Sequence, residues 1–90
     1  LDGPRLLALW AWQEEDFLRA TEGSAIRRIG FERWQRNCAV ALGNALAVSG
    51  DPAIVAALEA RREGAGALVR EHIDWALQQA APAALAALPA

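Results

Sequence analysis

Residues 31–48 are the longest stretch of this chain in which apolar side chains recur with the period of an α-helix. At 100° per residue, one face of such a helix carries Phe31, Trp34, Cys38, Ala41, Leu42 and Ala45. A helix in a protein gains most of its stability by burying such a face against other elements. The pattern therefore predicts that this face is a core stripe.

The sequence on both sides of this stretch predicts further helices over residues 5–10, 13–19, 52–62 and 67–80, and a short turn over 25–29. Gly50, Asp51 and Pro52 form the clearest boundary, because glycine ends helices, aspartate caps them and proline suits a first turn. About a quarter of the residues are alanine, which has the highest helix propensity. These features predict an all-α fold.

An internal repeat relates two of the predicted helices. A shift of 35 residues places Trp34 on Val69, Cys38 on Ile73, Ala41 on Ala76 and Leu42 on Leu77. Helical repeats of about this length stack their hairpins on one another. We therefore predict a short helical-repeat (HEAT-like) array of antiparallel helix hairpins. Residues 1–80 form the predicted domain, and residues 81–90, which contain only alanine, leucine and proline, form a tail.

The chain is poor in side chains that perform catalysis or bind metals. Its one cysteine, Cys38, and one histidine, His72, exclude a disulfide framework, a cysteine zinc site and a self-contained iron–sulfur cluster. Because it contains no lysine, it also lacks a G-x-x-x-x-G-K-[ST] phosphate loop. We expect no catalytic residue, bound metal, cofactor or enzymatic activity in this chain, and we expect Cys38 and His72 to be packed.

The apolar runs are only a few residues long, so the sequence predicts neither a membrane span nor a secretory signal.

The charged side chains are segregated along the chain, although the net charge is only -2. Between residues 12 and 23 four acidic side chains stand against one arginine, and between residues 24 and 37 four arginines stand against one glutamate. The second of these segments is therefore a basic cluster.

On a helix over residues 31–48, one polar face roughly opposite the apolar stripe carries Arg33, Arg36, Asn37 and Asn44. Arginine and amide side chains on one face suit contacts with phosphates and base edges. The arginines can equally form a solvated face or pair with the acids of the preceding helix. Asn44 can contact a partner or hydrogen-bond a neighbouring hairpin. The tryptophans are expected to pack, Trp75 only if the tail or a partner covers it, and stacking on nucleic-acid bases is their less favoured role.

Five short motifs carry a family resemblance: SAIRRIG at residues 24–30, RN at 36–37, AVALGN at 39–44, LVREH at 68–72 and WAL at 75–77. Together they resemble the C-terminal region of bacterial epoxyqueuosine reductases. The similarity runs from about Leu6 to Leu77 and covers most of the chain. The R-x-G, R-N and A-L-G-N elements are its specific part, because a Val-Arg-Glu-His block occurs in HEAT repeats generally.

The resemblance implies that the chain is the C-terminal, tRNA-positioning domain of an enzyme that converts epoxyqueuosine to queuosine in tRNA. Members of this family use cobalamin and two [4Fe-4S] clusters, which are bound by domains upstream of the region seen here. The implied partners are the tRNA anticodon arm and these upstream catalytic domains, and the implied location is the cytoplasm. We expect the chain to be monomeric. Since it contains no methionine, we also expect it to be a piece of a longer protein.

On this basis we expect seven side chains to contact RNA: Arg27, Arg28, Arg33, Arg36, Asn37, Asn44 and Arg70. Arg70 has an alternative role, because the arginine at that place in HEAT-type helices often serves the packing of the repeat. The rival function is a structural or protein-interaction helical-repeat module. Such a module would brace the catalytic domains through Trp10, Trp12 and neighbouring apolar surface.

Overall fold

The structure, a computed structural model, describes residues 3–80 and contains five α-helices and one 3-10 helix in that range. In chain order these are α1 (Gly3–Trp10), α2 (Glu14–Ala20), the 3-10 helix η1 (Ala25–Ile29), α3 (Phe31–Ser49), α4 (Pro52–Arg62) and α5 (Ala67–Gln78). No strand occurs among these residues, so the predicted all-α class is confirmed. None of the helices described is long and apolar enough to cross a membrane. The predicted tail over 81–90 lies outside the described residues.

The boundary between α3 and α4 follows the signals in the sequence. Gly50 adopts a left-handed conformation, with φ of 63°, that ends α3. The Asp51 side chain then accepts a hydrogen bond from the N–H of Ala53 at 2.9 Å, and Pro52 occupies the first turn of α4. At its other end the domain differs slightly from the prediction, because α5 ends at Gln78 and the chain then forms a turn.

The central element is α3. It packs most extensively against α5 and contacts α1 on another side. Helix α4 contacts α1, α3 and α5. The buried apolar core contains Leu6, Trp10, Cys38, Ala39, Leu42, Leu46, Ile54, Leu58, Val69, Ile73 and Ala76. The helices α1, α3, α4 and α5 contribute to this cluster, so these four helices share one core.

The predicted core stripe of α3 is only partly right. Cys38 and Leu42 are buried, whereas the other predicted positions are half-buried: Phe31, Trp34, Ala41 and Ala45. Three positions outside the predicted stripe are buried instead: Ala39, Gly43 and Leu46. The buried face is rotated because α5 covers one side of α3 while α1 covers another, and a single apolar stripe does not reveal two neighbours.

Gly43 marks a close approach between α3 and α5. A Cβ atom placed on Gly43 would lie 2.7 Å from Cζ3 of Trp75 and 2.9 Å from Cα of Ala76, which leaves no room for a methyl group. Near the other end of the pair, a Cβ on Gly66, just before α5, would lie 3.5 Å from the carboxylate of Glu32 in the first turn of α3. The two helices therefore run in the same direction. Stacked hairpins place equivalent helices in this way, and the hairpin repeat itself stays a prediction.

Aromatic contacts attach the N-terminal part of the chain to the core. Trp12 stacks on Trp34 with 5.6 Å between ring centroids, and the fully buried Phe17 lies 5.4 Å from the Trp34 ring. Trp10 is 3% exposed and donates its indole N–H to the carbonyl oxygen of Ala57 at 3.0 Å. These three tryptophans thus have the predicted packing role.

We expect Gly43→Ala to lower the free energy of unfolding by about 1–2 kcal/mol, because overpacking against Ala76 outweighs the gain in helix propensity. Urea denaturation followed by circular dichroism measures the change. Gly64→Ala is the matched control, since a Cβ on Gly64 meets nothing within 4 Å. Equal stability of the two variants would contradict the close approach of α3 and α5.

Candidate nucleic-acid interface

The segment between α2 and α3 folds into the exposed helix η1. Ser24 begins it by accepting a hydrogen bond from the N–H of Ile26 at 3.2 Å. Gly30, with φ of 84°, ends it and donates its N–H to the carbonyl oxygen of Arg27 at 3.3 Å. None of the residues of η1 is buried. The segment therefore lies on the surface, fixed at both ends by local hydrogen bonds and packed against α3.

Arg27 and Arg28 have exposed side chains on η1. Together with Gly23 and Ser24 they line an open cavity of about 600 Å³. Among residues 3–80, neither guanidinium group takes part in a hydrogen bond or an ion pair. Pairing with the acidic helix α2, which the sequence left open, is therefore not observed in this part of the chain. Both charges are free to meet an external anion.

Arg33, Arg36 and Asn37 lie on the first two turns of α3. Arg33 and Asn37 are exposed, while Arg36 is half-buried and donates a long hydrogen bond to Oδ1 of Asn37 at 3.5 Å. Because η1 packs directly against α3, the arginines of the basic cluster lie on two adjacent elements. The structure thus brings these three residues and the η1 arginines into one region.

Asn44 lies farther along α3, about 10 Å from Asn37 by the rise of the helix. Its side chain is exposed and makes no hydrogen bond within residues 3–80, so the alternative bond to a neighbouring hairpin is not observed there. It lines a shallow cavity of about 380 Å³ together with Leu6, Ala41 and Ala45. The structure places Asn44 two turns away from the arginine-rich start of α3.

Arg70 differs from the arginines of the basic cluster, because its guanidinium group bonds to the backbone of the domain. Its Nε donates to the carbonyl oxygen of Arg62 at 3.2 Å, and its Nη2 donates to those of Glu63 and Ala65 at 3.1 and 3.3 Å. These groups lie at the end of α4 and in the following turn, where carbonyls lack partners within the helix. Arg70 thus has the packing role that the sequence analysis gave as its alternative.

Two other arginines connect the helices without having been identified from the sequence. Arg61 donates to the carbonyl oxygen of Ala11 at 3.0 Å, and its guanidinium lies 5.7 Å from the ring centroid of Trp10. Arg62 pairs with Asp74 of α5 at 2.6 Å, and this hydrogen bond lowers the pKa of the Asp74 carboxyl. The only sequence signal for these two contacts was the position of both arginines in the last turn of α4, because their partners are distant in the sequence.

The sequence analysis also missed an apolar cleft between α1, η1 and α3. It has a volume of about 270 Å³ and is lined by Leu6, Leu9, Ile26, Ile29, Trp34, Asn37, Cys38 and Ala41. Ile26 and Ile29 are 48% and 38% exposed. Residues three apart share one face of a 3-10 helix, so the two isoleucines lie together and the arginines between them lie on other faces. The Ile-Arg-Arg-Ile order was the signal that could have revealed this cleft.

Cys38 and His72 are packed, as predicted. Cys38 is 6% exposed, and burial raises the pKa of its thiol to about 11. Nδ1–H of the half-buried His72 donates to the carbonyl oxygen of Leu68 at 2.8 Å. A buried thiol with a raised pKa does not fit an iron–sulfur cluster, which binds thiolates. Within residues 3–80, no group of three or more His, Cys, Asp or Glu side chains is placed to hold a metal ion.

Comparison with known proteins relates the chain to one group of enzymes. It is 58% identical over 83 residues to an epoxyqueuosine reductase of Alicycliphilus denitrificans, a match that covers 88% of this chain and 23% of that protein. It is 58% identical over 79 residues to the epoxyqueuosine reductase of Xanthomonas campestris pv. campestris, covering 88% and 21% of the two chains. For the Escherichia coli epoxyqueuosine reductase the identity is 57% over 79 residues, covering 88% and 20%.

The chain therefore spans about a fifth of the length of the curated relatives it matches. No protein-family model matches it, and no solved structure matches it significantly. The α-helical domain is thus homologous to one part of longer proteins. It is related to the C-terminal region of the epoxyqueuosine reductases, and the resemblance identified from its motifs is confirmed.

Arg70→Ala is expected to lower the free energy of unfolding by about 1 kcal/mol, because the carbonyl groups at the end of α4 lose their donor. Chemical denaturation followed by circular dichroism tests this. Arg19→Ala serves as the control, since the exposed Arg19 makes only a 3.9 Å contact with Asp16 among the described residues. If the two variants proved equally stable, the packing role of Arg70 would be wrong.

Proposed function

We propose that this chain is the tRNA-positioning part of an epoxyqueuosine reductase, an enzyme that converts epoxyqueuosine to queuosine in tRNA. Two findings support the proposal: identities of 51–58% with proteins of that name, and the exposed arginines of η1 and α3. In this proposal the chain binds and orients the RNA, and none of its residues takes part in the chemistry.

The observation that carries the RNA-binding role is the absence of internal partners for Arg27, Arg28 and Arg33 within residues 3–80. A guanidinium that is already paired inside a domain must give up that pair to bind a phosphate. An unpaired arginine gives up no internal bond, and it gains affinity by displacing the counterions condensed on the nucleic acid. RNA stems are recognised largely through backbone and shape, so these contacts position the RNA rather than select its sequence.

The proposed contact surface is centred on η1 and the first two turns of α3. Arg27, Arg28 and Arg33 supply its charge, and Arg36 and Asn37 flank them. Asn44 marks the far limit of the surface along α3. Arg70 acts in this proposal as a packing residue, because its donors are occupied by carbonyl oxygens.

The two [4Fe-4S] clusters implied by the family resemblance find no fitting residues here, because each cluster needs several cysteine ligands and Cys38 is the only cysteine of the chain. The resemblance implies that the cobalamin accompanies the clusters. The proposal therefore assigns them to upstream domains of the same polypeptide. The tRNA anticodon arm would contact both those domains and this one, in the cytoplasm. The chain's contribution is the cationic surface alone.

The rival function is a module that braces other domains through Trp10, Trp12 and neighbouring apolar surface. Trp10 is 3% exposed and Trp12 stacks on Trp34, so these rings are engaged within the domain. The exposed apolar side chains that remain for a protein contact include Ile26 and Ile29, together with Leu18, Val48 and Trp75. Charge-reversal variants distinguish the two functions, because a bracing role does not require the arginines to hold RNA.

The test is a titration of a labelled tRNA anticodon stem-loop with the chain, at 50 and 200 mM salt. Arg27→Glu/Arg28→Glu is expected to weaken binding by about tenfold or more and to reduce the slope of log K against log salt by about two. Fluorescence anisotropy measures both quantities, and circular dichroism verifies that the variant is folded.

Single reversals provide the matched control for this titration. Arg28→Glu and Arg19→Glu change the net charge equally, and both side chains are exposed, but Arg19 lies on the acidic helix α2. We expect only Arg28→Glu to weaken binding strongly. Equal losses would point to a general charge effect, and salt-insensitive or absent binding by the unaltered chain would contradict the proposed function.

A further inference from the structure

Helix η1 borders two cavities. Arg27 and Arg28 line the open cavity of about 600 Å³. Ile26, Ile29 and Trp34 line the apolar cleft of about 270 Å³. A single turn of 3-10 helix therefore presents cationic and apolar faces side by side.

The apolar cleft exposes surface that a monomeric domain gains nothing by exposing. Ile26 and Ile29 are 48% and 38% exposed, although they stand beside the core residues Leu6 and Cys38. Covering these side chains would remove apolar area from water and would stabilise a complex. Arg27 and Arg28, whose guanidinium groups have no partner among residues 3–80, stand between the two isoleucines on the same turn of η1.

One polar group accompanies the apolar walls. The amide of Asn37 lines the cleft and, within residues 3–80, engages only a long hydrogen bond from Arg36 to its Oδ1, so its Nδ2 donor is free. The indole N–H of Trp34 also lacks a hydrogen-bond partner among the described residues, but its nitrogen is buried and offers no donor to a ligand in the cleft. Nucleobases carry the carbonyl oxygens and ring nitrogens that an amide donor binds.

We propose that the apolar cleft between η1 and α3 receives the base of an unpaired nucleotide whose phosphate binds Arg27 and Arg28 on the neighbouring faces of η1. This inference rests on the proposed function and adds to it a preference for single-stranded RNA. A nucleotide matches the site because it joins an anion to a flat group with apolar faces and polar edges. A base within a duplex is stacked and paired, so only a loop or an end can supply it.

Charge complementarity favours this occupant over an apolar side chain of a protein. A protein segment would fill the cleft equally well, but it would leave Arg27 and Arg28 without a partner unless it were also acidic. RNA supplies a phosphate with every base. The two isoleucines and the two arginines then serve one ligand.

The test compares a hairpin that has an unpaired loop with a blunt duplex of the same number of phosphates. The chain is expected to bind the hairpin about tenfold more tightly, because one buried, stacked base contributes on that scale. Ile26→Ala/Ile29→Ala should abolish this preference while leaving the salt dependence and the affinity for the duplex unchanged. Arg27→Glu/Arg28→Glu should instead weaken binding of both RNAs.

Val48→Ala is the matched control, since Val48 is 90% exposed on α3 and lines neither cavity. A photocrosslink from 5-iodouridine in the loop to the unaltered chain gives a second readout that does not depend on a variant folding. We expect the crosslinked peptide to contain residues of η1 or the start of α3.

The outcomes separate the two proposals. Salt-sensitive binding without a hairpin preference, or a preference that survives Ile26→Ala/Ile29→Ala, overturns the base-binding cleft and leaves the proposed function standing. In that outcome a protein segment becomes the favoured occupant of the cleft. Crosslinks confined to α2 or α4 would likewise overturn the base-binding cleft. Absence of salt-sensitive binding to either RNA overturns both proposals.

Discussion

The close approach of α3 and α5 at Gly43 is the contact on which the rest of the structure depends. With no side chain at this position, the backbone of α5 near Ala76 lies where a methyl group would otherwise be. The approach aligns the two helices in parallel and turns Ala39 and Leu46 into the core beside Val69 and Ile73. α4 connects the pair, and the bonds from Arg70 and between Arg62 and Asp74 hold the α4–α5 turn in place.

This packing divides several of the arginines into two groups. Arg61, Arg62 and Arg70 face other helices, where they bind backbone carbonyls or a carboxylate and contribute to the fold. Arg27 and Arg28 lie on a surface segment whose backbone is fixed by Ser24 and Gly30, without partners among residues 3–80. The first group makes internal bonds that stabilise the domain, whereas the second makes none among residues 3–80. In the proposed function, RNA is the external anion that this second group binds.

The sequence predicts local features of this fold well and long-range ones poorly. The bounds of α4, the cap at Asp51 and the extent of η1 depend on neighbouring residues, and their patterns are visible in the chain. The burial of Gly43 depends on α5, which lies more than twenty residues away, so helical periodicity placed it outside the core. For the same reason Arg61 gave no sign that it would bind the carbonyl of Ala11.

The candidate site shows the same division. The basic cluster was visible as a run of arginines, and the helix pattern placed Arg33 and Arg36 on a polar face of α3. Two things were not visible: that the arginines would remain unpaired, and that Ile26 and Ile29 would border a cleft with Trp34. Both depend on where α1 and α2 lie relative to η1, which only the folded chain determines.

The central claim, that the surface of η1 and the start of α3 binds RNA, is tested most directly by nuclear magnetic resonance. Isotope-labelled chain would be titrated with a tRNA anticodon stem-loop, and both backbone amides and arginine Nε–H groups would be followed. RNA binding at this surface predicts saturable shifts at residues 24–37 and at the side chains of Arg27, Arg28 and Arg33, while the Nε–H signals of Arg62 and Arg70 stay in place. Shifts centred on α2 or α4, or equal changes in all these arginines, would contradict it.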